Sequence, residues 1–477
     1  MPSAPPRLVV SAVGGDGGKT LVSLGLIAVL RQRGLAVVAF KKGPDYIDAA
    51  WLTRAAGRPA RNLDVYLCSE AGVLEGVRRG AGGADLAIIE GNRGLHDGVD
   101  AEGSYSTAAL ARFLRAPVVL VLNATKVTRT LAAVALGCKV LDPAVHLSAV
   151  VLNNVATSRQ EQVIRAAIEA EAGIPVIGAV ARLHGGGPLP GRHLGLVTPE
   201  EHDRAADAVV AARDAVARGV DIDRVLDLAR RAGDLDLPPA PSPVETVPDV
   251  TVGVMRDSAF SFYYPENLEA LEAEGARLRD VSSLEPAPLP EDLDALYVGG
   301  GFPETHAARL AGNGQLLASL RERVEDGLPV YAECGGLMLL SRTLVWKDSR
   351  YPMAGILPVD VEVKDRPQGH GYCELRVDRV NPFLERNTVL RGHEFHYSEV
   401  VGPGDRALTA YSVERGVGCF DNRDGLVYKN VLASYAHLHA LGAPGWSRGL
   451  VDQARRHRRE RSTLPSRTPI SPRIITQ

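Results

Sequence analysis

The chain has 477 residues, 45% hydrophobic and 23% charged, a globular composition that suits two domains of roughly 200–250 residues and excludes wholesale disorder or a fibrous array. Its net charge of −3 offers no basic surface to neutralise phosphate backbones, so neither DNA nor RNA is expected as a partner. No run approaches the roughly 18–20 apolar residues of a membrane span, and MPSAPPRLVVSAV lacks a charged region followed by a cleavable apolar stretch, so a cytoplasmic location is expected.

Short β-branched runs alternate with helical patterns from the start: LVVSAV (8–13), AVVAF (36–40), DLAIIE (85–90), PVVLVLNA (117–124), LSAVVLNNV (147–155) and PVIGAV (175–180). That rhythm predicts a parallel sheet wound with helices on both faces. Leu21, Leu24, Ile27 and Ala28 fall at helical spacing just after a glycine-rich turn, and helices dominate again from about 200 to 233. The proline cluster LPPAPSPVE (237–245) can continue neither a helix nor a central strand. It places a linker at 237–248, between a first domain over 1–236 and a second over 249–445. In the second, TVGVM (251–255), ALYVGGG (295–301) and PVYAE (329–333) each precede a helical stretch, while ILPVDVEV (356–363), YCELRV (372–377) and GLVYKNVLASYAH (425–437) are expected to complete one mixed sheet. The basic run Arg455-Arg456-His457-Arg458-Arg459 leads into a Pro- and Ser-containing end, and a solvated, frayed tail is expected over 446–477. Five cysteines with no CxxC pair fit neither a zinc site nor a disulfide framework.

Three strand ends of the first domain carry polar clusters. Gly14-Gly15-Asp16-Gly17-Gly18-Lys19-Thr20 stands between the first strand and first helix, where backbone N–H groups at a helix N-terminus bind phosphates. Gly15, Gly17, Gly18, Lys19 and Thr20 are the nucleotide-binding candidates, with the Thr20 hydroxyl a ligand for Mg²⁺; Val13 stands where the usual phosphate loop has a glycine. KKGPDYID (41–48) follows the second strand, at the edge where open parallel sheets bind ligands, although alone it reads equally as a solvated loop. EGNRGLHDG (90–98) follows DLAIIE, and an acid ending a buried strand needs a cation, which makes Glu90 a candidate Mg²⁺ partner of Thr20. Lysines, a hydroxyl and carboxylates together suit phosphoryl transfer, where catalysis is mostly positioning and charge neutralisation.

In the second domain, Cys334-Gly335-Gly336 sits at a strand-to-helix turn, which is expected to expose the sulfur and lower its pKa; a lone cysteine is otherwise more often buried and inert. Gly299, Gly300 and Gly301 end another strand and, with Gly335, could supply oxyanion N–H groups, or form a simple loop. A cysteine nucleophile needs a base, and His437 is favoured over His439 in SYAHLH (434–439). GHEFHYS (392–398) mixes polar and aromatic residues as a pocket for a planar acidic ligand would, although surface packing explains it nearly as well.

With these residues assembled, the chain resembles the cobyrinate a,c-diamide synthases from about residue 7 to 445, through KKGPDYIDAAW, IEGNRGLHDG, FSFYYPENLEALEAEGA, YVGGGFPETHAARL, YAECGGLMLL, GHEFHYSEV and ASYAHLH in family order. The resemblance implies an α/β chain: an N-terminal P-loop, dethiobiotin-synthetase-like doubly wound sheet, then a class I glutamine amidotransferase domain of flavodoxin-like type. It implies ATP- and glutamine-dependent amidation of acetate carboxylates on a modified tetrapyrrole through an acyl phosphate, with ammonia passing on without crossing bulk water. It implies Cys334 as nucleophile and His437 as its activator, and places ATP, Mg²⁺ and the substrate among Lys41, Asp45, Tyr46, Asp48, Glu90, Asp97 and His396, with Asp45, Glu90 and Thr20 as metal ligands. Related amidotransferases carry a glutamate two residues after the histidine, where this chain has His439, so the third triad member stays unnamed. EGNRGL with GGDGGKT is most similar to a branch associated with sirohaem amidation, and nickel-sirohydrochlorin is a further candidate substrate. A homodimer is compatible with the resemblance. The rivals are a regulatory P-loop ATPase with an inactive glutaminase domain, and a glutaminase or amidase that needs no ATP.

Overall fold

The computed structural model describes residues 3–183, 189–192, 195–240, 247–404 and 407–463. Its contacts divide the chain into two compact units, the first comprising Met1–Val244, Phe262–Asn267 and Leu438–Ala443, the second Glu245–Ser261, Leu268–His437 and Pro444–Gln477. Among the described residues no helix is long and apolar enough to cross a membrane.

The first unit is built on seven strands: β1 (Arg7–Ala12), β2 (Val37–Lys42), β3 (Arg61–Leu63), β4 (Leu86–Glu90), β5 (Val118–Asn123), β6 (Leu147–Val155) and β7 (Val176–Ala181). They lie in the order β3-β2-β4-β1-β5-β6-β7, and every pairing is parallel. Such strands are covered on both faces, which is why nearly continuous Val, Ile and Leu runs form them rather than alternating ones. Lys41 and Lys42 finish β2 and Glu90 finishes β4. Register sets Glu90 beside Lys41 on one side and Val10 on the other, so the loops after β1, β2 and β4 leave from neighbouring strand ends. Helix α1 (Lys19–Gln32) follows β1 and α2 (Tyr46–Ala56) follows β2. The predicted helical stretch near 200–233 forms Ala205–Gly219 and Ile222–Ala229, preceded by a two-stranded ladder of β8 (Gly191–Arg192) and β9 (Gly195–Leu196).

Five strands begin the second unit: β10 (Val250–Met255), β11 (Ala276–Val281), β12 (Ala295–Val298), β13 (Val330–Glu333) and β14 (Thr343–Trp346). β15 (Ser349–Pro352), β16 (Asp360–Val363), β17 (Gly369–Val377), β18 (Val389–His396) and β19 (Ser398–Val401) follow, then β20 (Leu408–Arg415), β21 (Arg423–Tyr428), β22 (Val431–Ser434) and β23 (His437–Leu438). Among the described residues they form a ten-stranded sheet, β11-β10-β12-β13-β22-β21-β20-β17-β18-β23, and a separate four-stranded one, β15-β14-β16-β19. The segment from β11 through β22 is parallel, and β21, β20, β17 and β18 continue it antiparallel.

Three sequence expectations change. ILPVDVEV does not join the mixed sheet: only 360–363 is strand, and it pairs with β14 and β19 in the smaller sheet. Residues 262–267 and 438–443, expected in the second domain, pack into the first unit, where the ring of Phe262 stacks on Tyr46 at 5.0 Å and Arg61 pairs with Glu266 at 2.9 Å. The tail expected to fray from 446 is instead a helix, Gly445–Thr463, which buries Trp446, Leu450, Val451 and Ala454 on one side. Trp446 stacks on Tyr331 at 4.8 Å, while Arg455 binds Asp249 and Arg461 binds Asp294. The arginines dominate the composition, but this apolar stripe decides the structure. Residues 464–477 of that tail and 241–246 of the proposed linker lie outside the described residues.

Candidate active site

In the first unit the glycine-rich turn closes onto α1. Gly18 is its N-cap at φ 93°, a left-handed conformation, and a Cβ there would overlap the Asn153 side-chain amide. Gly17 is also required by space, since its Cβ would come within 2.8 Å of the Ala12 methyl, whereas Gly15 faces open space. Lys19 folds back over the turn and donates to Gly14 O at 2.8 Å. Burial and the charge of Lys41 lower its pKa. The Thr20 hydroxyl donates to Glu90 Oε1 at 3.0 Å, which joins the first and third predicted clusters.

Lys41 is the hub of the site. Its ammonium donates to Asp48 Oδ2 at 2.5 Å, Glu90 Oε1 at 2.8 Å and Gly91 O at 3.1 Å, and Asp45 Oδ2 lies 3.9 Å away. The side chain is 1% exposed and that of Glu90 0%. Burial disfavours the ammonium, but Asp48, Glu90 and Asp45 overcome it and raise its pKa. Burial likewise disfavours the Asp48 anion, yet Lys41 holds it below the ordinary carboxylate range. Glu90 is raised by burial against the pull of Lys41, and Asp45 is raised by burial and by its neighbour Asp48. The resemblance implies a nucleotide contact for Lys41; its three ammonium hydrogens are directed at protein oxygens, where the lysine neutralises Asp48 and Glu90.

The other predicted residues divide. Asp45 caps α2 by accepting from Asp48 N at 2.9 Å. Tyr46, buried on the same turn, stacks on Phe262 and meets Tyr264 at a tilt of 31° with centroids 4.5 Å apart. Asp97 is exposed and accepts from Gly94 N at 2.7 Å, shaping the loop after β4. His396 belongs to the second unit. Its ring stacks on Tyr435 at 3.8 Å, its Nδ1 meets Ser398 O at 2.6 Å and it is 4% exposed, so it packs the interior rather than presenting a surface to a planar ligand.

In the second unit β13 ends at Glu333 and the helix Gly335–Leu340 begins at once, leaving Cys334 at the bend with φ 47° and ψ −97°. A non-glycine residue at that φ is strained, and such strain is typical of a nucleophile elbow. The glycines after it allow close approach: a Cβ on Gly335 would lie 3.2 Å from the Gly301 nitrogen, and one on Gly336 2.5 Å from Val298 O. Gly299 and Gly300 are buried where the chain leaves β12. β22 runs parallel beside β13, Cys334 N donates to Ser434 O at 2.7 Å, and His437 follows three residues later. His437 is buried, with Nδ1 3.4 Å from Glu333 Oε2 and its ring stacked on His393 at 4.9 Å. One expectation fails: Cys334 is buried and its thiol pKa is raised, first by burial and then by the charge of Glu304, against a weaker opposing contribution from Gly335 N–H. A resting thiol of this kind depends on a base for its activation.

Residues 8–194 match the CobQ/CobB/MinD/ParA nucleotide-binding domain, and residues 251–444 the CobB/CobQ-like glutamine amidotransferase domain. A cobyrinate a,c-diamide synthase of Magnetococcus marinus is 44% identical over 453 residues, covering 94% of this chain and 97% of its own. One from Archaeoglobus fulgidus is 40% identical, with 95% and 98% covered. The chain belongs to the cobyrinate a,c-diamide synthase family. It is an amidating ligase that draws nitrogen from glutamine, and it joins a P-loop nucleotide-binding domain to a glutamine amidotransferase domain. A hydrogenobyrinate a,c-diamide synthase of Streptomyces coelicolor is also similar, 39% identical over 95% of this chain and 98% of its own.

Several residues of this synthase-family chain carry structural weight that sequence reasoning did not assign. Asn153 donates to Gly17 O at 3.2 Å and braces the phosphate loop from the end of β6; its only sequence signal is a polar residue ending an apolar strand. Asp424, fully buried, accepts from the Ser434 hydroxyl at 2.8 Å and Tyr435 N at 3.2 Å, fixing the turn that leads to His437. Glu266 and Arg61 form a buried ion pair from segments about two hundred residues apart, a separation at which no local pattern signals a contact.

Proposed function

We propose that this chain converts acetate carboxylates of a cobyrinate-type tetrapyrrole to amides, consuming ATP and glutamine. The observation that carries this reading is the presence, in one chain, of a phosphate-loop turn backed by Lys41, Asp48 and Glu90 and a strained Cys334 just after a strand adjacent to that leading to His437. The names of the relatives support the substrate class: cobyrinate in two of them, hydrogenobyrinate in the third.

The division of labour we infer gives residues 1–236 the activation step and residues 249–445 the release of nitrogen. In the first, a substrate carboxylate oxygen attacks the γ-phosphorus of ATP, ADP leaves, and an acyl phosphate forms. N–H groups of the turn at Gly15, Gly17 and Gly18, together with Lys19, hold the phosphates, while Asp45, Asp48 and Asp97 line the acceptor side. Mg²⁺ would be held by Thr20 and Glu90, with Asp45 near, and would neutralise phosphate oxygens. Glu90 Oε2 is buried without a hydrogen-bond partner, as suits a cation ligand. Among the described residues no three His, Cys, Asp or Glu side chains gather as a metal cage, so the nucleotide's oxygens would complete the shell.

In the second step His437 takes the Cys334 proton, and the thiolate attacks the glutamine amide carbon. The amide nitrogen leaves as ammonia with a proton from His437, and water hydrolyses the glutamyl thioester. N–H groups at Gly301 and Gly335 are the oxyanion donors, with Gly299 and Gly300 shaping the approach. Ammonia then attacks the acyl phosphate carbon and phosphate departs.

Cobyrinate, hydrogenobyrinate, sirohaem and nickel-sirohydrochlorin, each incubated separately with Mg²⁺-ATP and glutamine, test the reading by product mass. Conversion of two carboxyls to amides in cobyrinate or hydrogenobyrinate, with matching ADP release, is expected. Amidation confined to sirohaem or the nickel compound would move the substrate assignment, and ATP-independent product would remove the synthetase role.

A further inference from the structure

An imidazole that activates a nucleophile is ordinarily oriented by an acid. Two residues beyond His437 stands His439, which belongs to the first unit and faces Glu266 at 3.6 Å. We propose that Glu333, the residue immediately before the nucleophile, is the positioning residue that orients His437; this rests on the Cys334–His437 reading.

Glu333 is 0% exposed at the end of β13. A carboxylate there is tolerable only if its oxygens are met by donors. Tyr331, two residues earlier and so on the same face of the strand, donates to Oε1 at 3.0 Å. Tyr297, opposite Tyr331 on β12, donates to Oε2 at 3.0 Å. The same Oε2 lies 3.4 Å from His437 Nδ1. Burial, and then the charge of Glu333, raise the pKa of the Tyr331 phenol, so it remains a donor. The two phenols fix the carboxylate in the sheet, and the carboxylate presents its second oxygen to the imidazole. A contact of 3.4 Å is long, as such bonds often are before substrate binds.

The arrangement specifies a role. With Nδ1–H directed at Glu333, the other ring nitrogen is left as the acceptor a thiol proton needs, and the imidazolium formed meets a negative charge. The groups facing this pair from other elements are His393 on β18, stacked on His437, and around the thiol Glu304 and Asp424. The charge of Glu333 also raises the Cys334 thiol pKa, a direct effect that opposes activation, so any help it gives the reaction goes through His437.

The test compares Glu333→Gln with the unaltered chain in glutamine hydrolysis and, in the same preparation, ammonia-dependent amidation. The expected result is a fall in glutaminase kcat of about 100-fold or more, in the manner of an orienting acid of a catalytic triad, with KM for glutamine changed less than about twofold. Ammonia-dependent amidation is expected to persist, and Glu333→Asp, which keeps the charge, to recover part of the loss. A kcat within about threefold of the unaltered chain, while Cys334→Ser and His437→Ala still abolish glutamine use, would overturn the role of Glu333 and leave the Cys–His reading standing. Retention of glutamine use by Cys334→Ser would instead overturn that reading. If Glu333→Gln does not fold, Tyr331→Phe decides: a several-fold loss of kcat at constant KM supports the proposal, and unchanged kcat contradicts it.

Discussion

Both catalytic regions bury carboxylates, but they satisfy them differently. In the first unit Asp48 and Glu90 face the full positive charge of Lys41; in the second, Glu333 is met by two neutral phenols and an imidazole. The first arrangement exchanges desolvation for Coulomb attraction and depends on its one cation. The second spreads a single charge over several weak donors, so the loss of one of them costs less than the loss of the Lys41 charge would. A synthetase site must assemble anions from its substrates, and a neutralised floor lets phosphates approach. A glutaminase site must move one proton, and a fixed acid behind the base suffices.

Removing the cation should therefore be the most damaging change. Lys41→Met leaves Asp48 and Glu90 buried without their counter-charge, and a stability loss of about 3–5 kcal/mol is expected at pH 8 from urea unfolding. The loss should shrink toward acid pH as those carboxylates take up protons, and ATP-dependent turnover should fall with either nitrogen source. A loss below about 1 kcal/mol would mean that the hub is solvated and its charge balance dispensable.

A smaller effect belongs to Glu266. Burial opposes its charge, but His439 and Arg61 hold its pKa down at about 2 from an ordinary 4.5. A depressed carboxylate contributes stability that is present above about pH 4.5 and lost as pH falls toward 2, on the order of 3 kcal/mol in all. Glu266→Gln should flatten that part of the stability curve, seen as the difference between the two chains unfolded by urea at pH 7 and pH 3.5. Parallel curves would show that the pairing is electrostatically neutral. The smallest change expected is from Tyr331→Phe, which removes one neutral donor from Glu333 and should cost about 1–2 kcal/mol of stability. A loss as large as that of Lys41→Met would erase the contrast between the two sites.

The sequence announces the first of these regions more openly than the second. The apolar runs that become β1, β2 and β4–β7 are legible because a strand covered on both faces must be nearly continuous in Val, Ile and Leu, and their polar ends mark the site. The three-residue β3 is too short to register as a pattern. β14 and β15 are half open to solvent and mix polar with apolar residues, so their separate sheet left little trace. The helix Gly445–Thr463 was hidden by its arginines, although Trp446, Leu450 and Ala454 recur every four residues. Cys334 is visible from its turn, but burial reversed the expected direction of its pKa, because a helix of one and a half turns competes poorly with desolvation and the nearby carboxylates. Glu333 reads in sequence only as a strand's last residue; its role appears once Tyr297 and His437 arrive from other strands.

The division between the two sites is tested most directly by isotope tracing with Cys334→Ser. The substituted chain is supplied with Mg²⁺-ATP and cobyrinate, together with either amide-¹⁵N-glutamine or ¹⁵N-ammonium, and the label in the product amides is read by mass spectrometry. The expected result is no label from glutamine and full label from ammonium, whereas the unaltered chain labels from both. Label from glutamine in the substituted chain, or none from ammonium, would contradict the account.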